Sequence, residues 1–276
     1  MDLLMAILMG IIQGITEWLP ISSSGHFVVI QHFLGETPFS YNIGLHFATM
    51  LVIIIFFRKE ILATLKAILE ILKDIAHGHK LMNAITKTQE RKYAALILIA
   101  IIPTGIIGVI IDLFIINLYI RTLLPVGIAF IIQGFLNLST KFGKEIKDWK
   151  RIGMTDALLI GTMQGLAAFS GLSRSGSTIS IGVARGIKRE DAARFSFLAS
   201  VPAFIGATLL DIREITGTTG NIDPTLMLAG VITAFVVGLL SLKLLMYILK
   251  GKKFFLFSVY SFSFAAIVLA LYFLGM

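Results

Sequence analysis

Apolar residues in this chain gather into long runs, and six of them are long enough, or nearly so, to cross a hydrocarbon core as helices of about 20 residues. They cover residues 41–57, 94–116, 122–139, 194–211, 225–249 and 254–275. Two further regions begin in the same way and are then interrupted. Residues 2–34 are apolar to Trp18, are cut by "PISSSGH" and resume only for "FVVIQHFLG". Residues 153–187 are apolar to Phe169, are cut by "SGLSRSGST" and resume for "ISIGVARGI". The flank after each break is too short to cross alone.

The broken regions are copies of one another. A shift of 151 residues, the separation of Gln13 and Gln164, also places Ala6 on Ala157, Gly10 on Gly161 and Gly14 on Gly165 without a gap. Beyond the break it places Ser22 on Ser173, Ser24 on Ser175 and Gly25 on Gly176, with Ser23 opposite Arg174. Polar and glycine positions kept in register on both sides of a break indicate duplication.

Basic residues then set an orientation. Residues 58–92 hold Arg58, Lys59, Lys66, Lys73, Lys80, Lys87, Arg91 and Lys92, and residues 141–151 hold Lys141, Lys144, Lys147, Lys150 and Arg151. Both read as cytoplasmic loops, as do "ARGIKREDAAR" and "LKGKK", whereas "LGETPFSYN" and the stretch from Asp211 to Asp223 suit the outer side. If residues 153–187 start and end among cytoplasmic loops, they enter the membrane and return. The first copy then enters from the outside. The expected fold is an all-α integral membrane protein: six transmembrane helices plus two re-entrant helical hairpins, arranged as inverted-topology repeats. Residues 1–276 form one membrane domain, with repeats at 1–139 and 153–276, a cytoplasmic linker at 140–152 and both termini outside.

Composition narrows the class. With 57% hydrophobic and 14% charged residues and a mean hydropathy of +0.90, the chain is too apolar for a soluble domain. Its net charge of +8 is spread over short blocks between apolar runs, which suits membrane loops and excludes a continuous nucleic-acid face. The lack of cysteine excludes disulfides, thiolate nucleophiles, cysteine–zinc sites and iron–sulfur clusters. The opening "MDLLMAILMGIIQGITEWLP" has neither a basic leader nor a small-residue cleavage site, so no removable signal peptide is expected.

The breaks carry the candidate chemistry. Irregular backbone at membrane depth is tolerated only in protein or beside a wet cavity, so the two breaks are expected to meet. An arginine at mid-membrane costs about 2.5–3.5 kcal/mol on insertion scales, so Arg174 requires an anion, and Glu17 requires a cation or a proton. The two could simply pair as structural glue, yet Ser22, Ser23, Ser24, Ser173, Ser175, Ser177, Thr178 and His26 supply far more hydroxyls and donors than a pair needs. A serine- and glycine-rich turn with an arginine, opening onto a helix N-terminus, suits a phosphate. Gln13 and Glu17 share a helix face at i and i+4, and with phosphate oxygens they are hard ligands for a divalent cation, magnesium or calcium. Packing through side-chain amides is the other reading of Gln13 and Gln164. His77 and His79 read as solvated, His46 as cavity-lining or packed, Asp112 and Asp211 as interfacial, and the aromatics of Phe254–Phe264 as lipid-facing.

Taken together, "QGITEWLPISSSGH" and "SGLSRSGST" resemble the undecaprenyl-diphosphate phosphatase family of the bacitracin-resistance type, which carries an (E/Q)xxxE motif and a PGxSRSxxT motif. Here the first runs from Gln13 to Glu17 in its glutamine variant, and the second from Ser170 to Thr178, with Ser170 in place of the family proline. "RFSFLASVPAFIGATLLDI" is similar too, so the resemblance covers nearly the whole chain. It implies an enzyme of the plasma membrane that hydrolyses a polyprenyl diphosphate lipid to the monophosphate for envelope glycan assembly. It also implies a divalent cation and a site opening to the outer side.

Carried onto these residues, the resemblance makes Ser23 the counterpart of the proposed nucleophile and His26 a general base or orienter. Arg174 would spread phosphoryl charge, Glu17 and Gln13 would hold the cation or manage a proton, and Ser22, Ser24, Ser173, Ser175 and Thr178 would bind substrate. Whether Ser23, His26 or water attacks stays open, as does oligomeric state. A lipid-phosphate or anion transporter is the alternative, since inverted repeats with broken helices are a transporter design. Asymmetry favours hydrolysis: Glu17 and His26 stand opposite Ala168 and Ser177, so one copy alone carries acid–base groups.

Overall fold

The computed structural model describes residues 1–114, 122–215 and 223–275, without the side chains of Asp112 and residues 209–215. The expectations placed on Asp112, on Asp211 and on the loop before Asp223 therefore fall outside the described residues. What is described is all-helical: α1 (Leu3–Trp18), α2 (Ser23–Leu34), α3 (Phe39–Phe56), α4 (Arg58–Ala76), α5 (Leu81–Thr86) and α6 (Gln89–Phe114), then α7 (Leu123–Ser139), α8 (Met154–Leu166), α9 (Arg174–Ala184), α10 (Arg189–Ile215), α11 (Pro224–Lys250) and α12 (Phe257–Phe273).

Among the described residues, five stretches are long and apolar enough to cross a membrane: α3, α6 as far as Ile111, α7 continued to Phe142, α11, and α12 entered from Phe254. The chain is a multi-pass membrane protein. The sixth expected run lies within α10, a 27-residue helix that is not among the five and whose first turns carry Arg189, Glu190, Asp191 and Arg194. By contrast α1 and α8 have 16 and 13 residues. At 1.5 Å per residue they reach about 24 and about 20 Å, short of a hydrocarbon core of roughly 30 Å. The basic segment 58–92, expected as a loop, is largely helical in α4 and α5.

Local chemistry explains both breaks. Pro20 disfavours helical backbone in the residue before it, and Leu19 accordingly turns extended at φ −68° and ψ 147°. Ser22 then caps α2, its Oγ accepting from Gly25 N at 3.2 Å while its own backbone sits at φ 63°, a left-handed setting unusual for a non-glycine residue. The second break has no proline. It turns at Gly171, φ 101°, where a Cβ would lie 2.7 Å from Val126 O, and Ser173 caps α9 by accepting from Gly176 N at 3.1 Å.

Each short helix packs on a span from the other half of the chain: α1 on α11, and α8 on α6. The matched glycines make both contacts close. A Cβ on Gly10 would lie 2.6 Å from Gly230 O, and one on Gly161 would overlap Ala100 O. Backbone cannot swing aside as a flexible side chain does, so Gly161→Ala is expected to cost about 1–3 kcal/mol by overpacking. Thermal unfolding in detergent checks this against Gly105→Ala, a position with nothing within 4 Å of the added methyl, which should unfold like the native chain or slightly above it.

Candidate active site

The two breaks meet. Gly171 N donates to Ser22 Oγ at 3.2 Å, and the hydroxyls of Ser173 and Ser175 approach Leu19 O at 3.4 and 3.5 Å. These contacts set the starts of α2 and α9 beside the end of α1. Their first residues are Ser23 and Arg174, the pair that the 151-residue shift superposes, and both reach one carboxylate. Ser23 Oγ donates to Glu17 Oε2 at 2.7 Å, and Arg174 Nη2 donates to Glu17 Oε1 at 2.6 Å. Gln13, one turn back on α1, adds its Nε2 to Glu17 Oε2 at 3.0 Å.

Glu17 is buried and Arg174 half-buried, so this ion pair sits where removing either member leaves a costly lone charge. Arg174 also lies over the Phe204 ring at 4.0 Å and the Trp18 ring at 5.8 Å, which shields the guanidinium face while Nη2 stays on the carboxylate. Two helix N-termini beside one arginine set two positive dipole ends and a full positive charge at a single place, an arrangement suited to an anion.

The fit of a divalent cation can be tested on Gln13. Its amide has one workable orientation: the Glu17 carboxylate only accepts, and Thr49 Oγ1, 3.3 Å away, has carbonyls of its own helix to donate to. Nε2 is thereby spent, and Oε1 is buried without a hydrogen-bond partner. That oxygen and the carboxylate fit a hard cation that takes its remaining ligands from phosphate and water, as magnesium commonly does. Among the described residues no three His, Cys, Asp or Glu side chains gather as a metal-binding group.

Other candidates make their hydrogen bonds within the protein. His26 is buried, with Nδ1 2.7 Å from Ser22 O and Nε2 2.6 Å from Tyr260 Oη, and its ring stacks on Phe264 at 4.3 Å between centroids. A carbonyl only accepts, so Nδ1 carries the proton and Nε2 accepts from the tyrosine. Both nitrogens are thus engaged away from Ser23, and the ring steadies the strained Ser22. Thr178 Oγ1 turns back to Arg174 O at 2.7 Å and to Ser196 Oγ at 2.6 Å. Gln164 packs instead, Nε2 lying 3.3 Å from both Thr104 Oγ1 and Ala199 O. Ser24 meets Ser22 Oγ at 3.3 Å, and His46 Nδ1 meets Asn42 O at 2.9 Å.

Sequence reasoning missed an amide pair on α7. Gln133 Oε1 accepts from Ser173 N at 2.9 Å and from Ser177 Oγ at 3.1 Å, while its Nε2 donates to Asn137 Oδ1 at 2.9 Å. Asn137 Nδ2 in turn donates to Pro20 O at 2.8 Å. Two fully buried side chains therefore clamp one break to the other. The available signal was two amides one turn apart inside an apolar run. Phe204 and Tyr260 carried no such signal.

The family model described as "Bacitracin resistance protein BacA" matches residues 6–267. Curated relatives include the undecaprenyl-diphosphatase of Methanosphaera stadtmanae, 39% identical over 94% of both chains. That of Desulforapulum autotrophicum is 38% identical over 94% of this chain and 95% of its own. That of Alkaliphilus metalliredigens is 36% identical over 96% of both.

Proposed function

The chain belongs to the bacitracin resistance protein family, and from that premise we propose that it is an undecaprenyl-diphosphatase, a membrane phosphatase that returns the lipid carrier to its monophosphate for cell-envelope glycan synthesis. The single observation that carries the mechanism is the convergence of Ser23 and Arg174 on Glu17. The terminal phosphoryl group binds at the paired starts of α2 and α9, where the Arg174 fork and the backbone amides spread the charge that grows in transfer. Ser23 Oγ attacks the terminal phosphorus as its proton passes to Glu17 Oε2, and the bond to the bridging oxygen breaks to release the lipid monophosphate. Water then cleaves the phosphoserine, giving inorganic phosphate and restoring the hydroxyl. Gln13 and Glu17 would hold a divalent cation, magnesium or calcium, which supplies charge neutralisation to the phosphate oxygens. Ser22, Ser24, Ser173 and Ser175 line the turns as hydrogen-bonding partners for substrate. The prenyl tail lies in lipid between helices.

The same reading places six crossings in a plasma membrane, α10 supplying the sixth, with α1–α2 and α8–α9 as re-entrant hairpins of inverted repeats. The short lengths of α1 and α8 and their exchanged packing on α11 and α6 support it. Basic loops lie in the cytoplasm and the site opens outward.

The test is phosphate release from polyprenyl diphosphate by purified protein in detergent, run beside lipid flux in sealed vesicles. Release at catalytic rates is expected, while flux without release would instead favour a lipid-phosphate carrier. His26 orients rather than reacts in this scheme, so Tyr260→Phe, which removes the hydrogen bond to Nε2, should slow release by less than tenfold. A loss of a thousandfold there would move the proton chemistry to His26.

A further inference from the structure

Helix α4 is not one of the membrane-crossing stretches, yet only Phe57 separates it from α3, and α5 leads within a few residues into α6. Its two ends are therefore tethered to spans on one side of the bilayer, at the depth where headgroups begin. Leu62, Leu65, Leu69 and Leu72 are 65, 51, 58 and 56% exposed, and at about 100° per residue they fall in one stripe. On the opposite face Ala67 and Ile71 are buried against the protein. A stripe of four bare leucines is costly in water.

Charges on α4 are sorted around this stripe. Lys59, Lys66 and Lys73 recur every seven residues, so they drift only about 20° per interval and border the leucines along one edge. The acids turn the other way. Glu70 and Asp74 both pair with Arg91 of α6, at 3.2 and 2.5 Å, and Asp74 also pairs with Lys87 at 3.0 Å. The hydrogen bond from Arg91, with help from Lys87, holds the Asp74 carboxyl down at about 2, so it stays ionised and committed to those partners across physiological pH. Glu70 and Asp74 are thereby neutralised within the protein, whereas Glu60 in the first turn and the three lysines enter no ion pair among the described residues, which leaves a net positive edge beside the leucines.

We propose that α4 is a docking surface for anionic lipid: its leucine stripe lies among the upper acyl chains, and Lys59, Lys66 and Lys73 engage the phosphates of acidic headgroups. Long lysine stems allow this geometry, since they lie along apolar surface while the ammonium reaches outward. The inference rests on the membrane fold alone and stands whether or not the diphosphatase reading does.

Because the chain has no cysteine, a spin label at Leu65→Cys reports one site. In nanodiscs of equal parts phosphatidylcholine and phosphatidylglycerol, that label should be mobile, open to oxygen and shielded from a water-soluble nickel complex. Spin-labelled phosphatidylglycerol should be held by the protein in preference to spin-labelled phosphatidylcholine. Lys59→Gln/Lys66→Gln/Lys73→Gln should cut that preference severalfold, up to roughly fivefold per lysine, with phosphate release in detergent unchanged. Nickel access to the Leu65→Cys label, or a phosphatidylglycerol preference untouched by the triple change, would overturn the proposal. So would an immobile label that loosens as the protein dissociates on dilution, which would seat a second copy of the chain on the stripe.

Discussion

Arg174→Ala is expected to lower phosphate release from polyprenyl diphosphate roughly a thousandfold, and Glu17→Gln and Ser23→Ala should fall comparably. One well-aimed donor to a developing oxyanion is worth about a hundred- to a thousandfold, and Arg174 supplies a charged fork rather than a single neutral donor. Arg174→Lys should recover little, because an ammonium cannot offer two parallel donors. The single changes also affect folding, since losing Arg174 strands the Glu17 carboxylate, and an uncompensated charge of that kind costs about 3–5 kcal/mol. Glu17→Gln/Arg174→Met removes both charges together. That variant should purify folded, with native-like unfolding in detergent, and remain inactive, which separates chemistry from stability. Phosphate release at the native rate by any single variant would remove its residue from the mechanism.

Gln133→Leu is expected to reduce turnover about a hundredfold although the residue touches no substrate. The change leaves the Ser173 amide and the Ser177 hydroxyl facing an apolar side chain, at about 1–3 kcal/mol per unpaired buried group. Ser173 is the cap of α9 and immediately precedes Arg174, so relief of that cost moves the arginine. A displacement near 1 Å at a reacting centre is enough for the stated loss. A double-mutant cycle tells positioning from general destabilisation: once Arg174→Ala is in place, adding Gln133→Leu should cost little further activity, because the group it positions is gone. Losses that simply multiply would show that Gln133 acts independently of Arg174. Asn137→Leu should behave similarly through the other break, where its amide holds Pro20 O.

Much of the site was legible before any coordinates. A charged residue inside an apolar run needs a partner in any fold, and Glu17 and Arg174 are the costly ones in the two broken segments, so their meeting follows from electrostatics and the register the segments share. Ser23 was legible through the family resemblance, which makes it the counterpart of the proposed nucleophile, and the 151-residue shift sets it opposite Arg174. His26 was a weaker inference, because its direction depends on which helix supplies a partner, and α12 supplies Tyr260 from more than two hundred residues away. The motif makes Thr178 a substrate ligand, and in the structure its hydroxyl turns back into α9 and onto Ser196, a direction the motif does not carry. In segment 58–92 the basic residues dominate the local pattern and mask the leucine periodicity of α4.

By itself, then, the sequence determined the membrane setting, the two interruptions, their shared 151-residue register and the charges that had to find one another, because burial costs and backbone hydrogen bonding leave few alternatives inside a bilayer. Tertiary structure alone decided which atoms meet: that the Glu17 carboxylate takes Ser23 on one oxygen and Arg174 on the other, that the Gln133–Asn137 amides fasten break to break, and that His26 faces Tyr260. Those outcomes turn on rotamers and on contacts between helices distant in the chain, which no local pattern encodes.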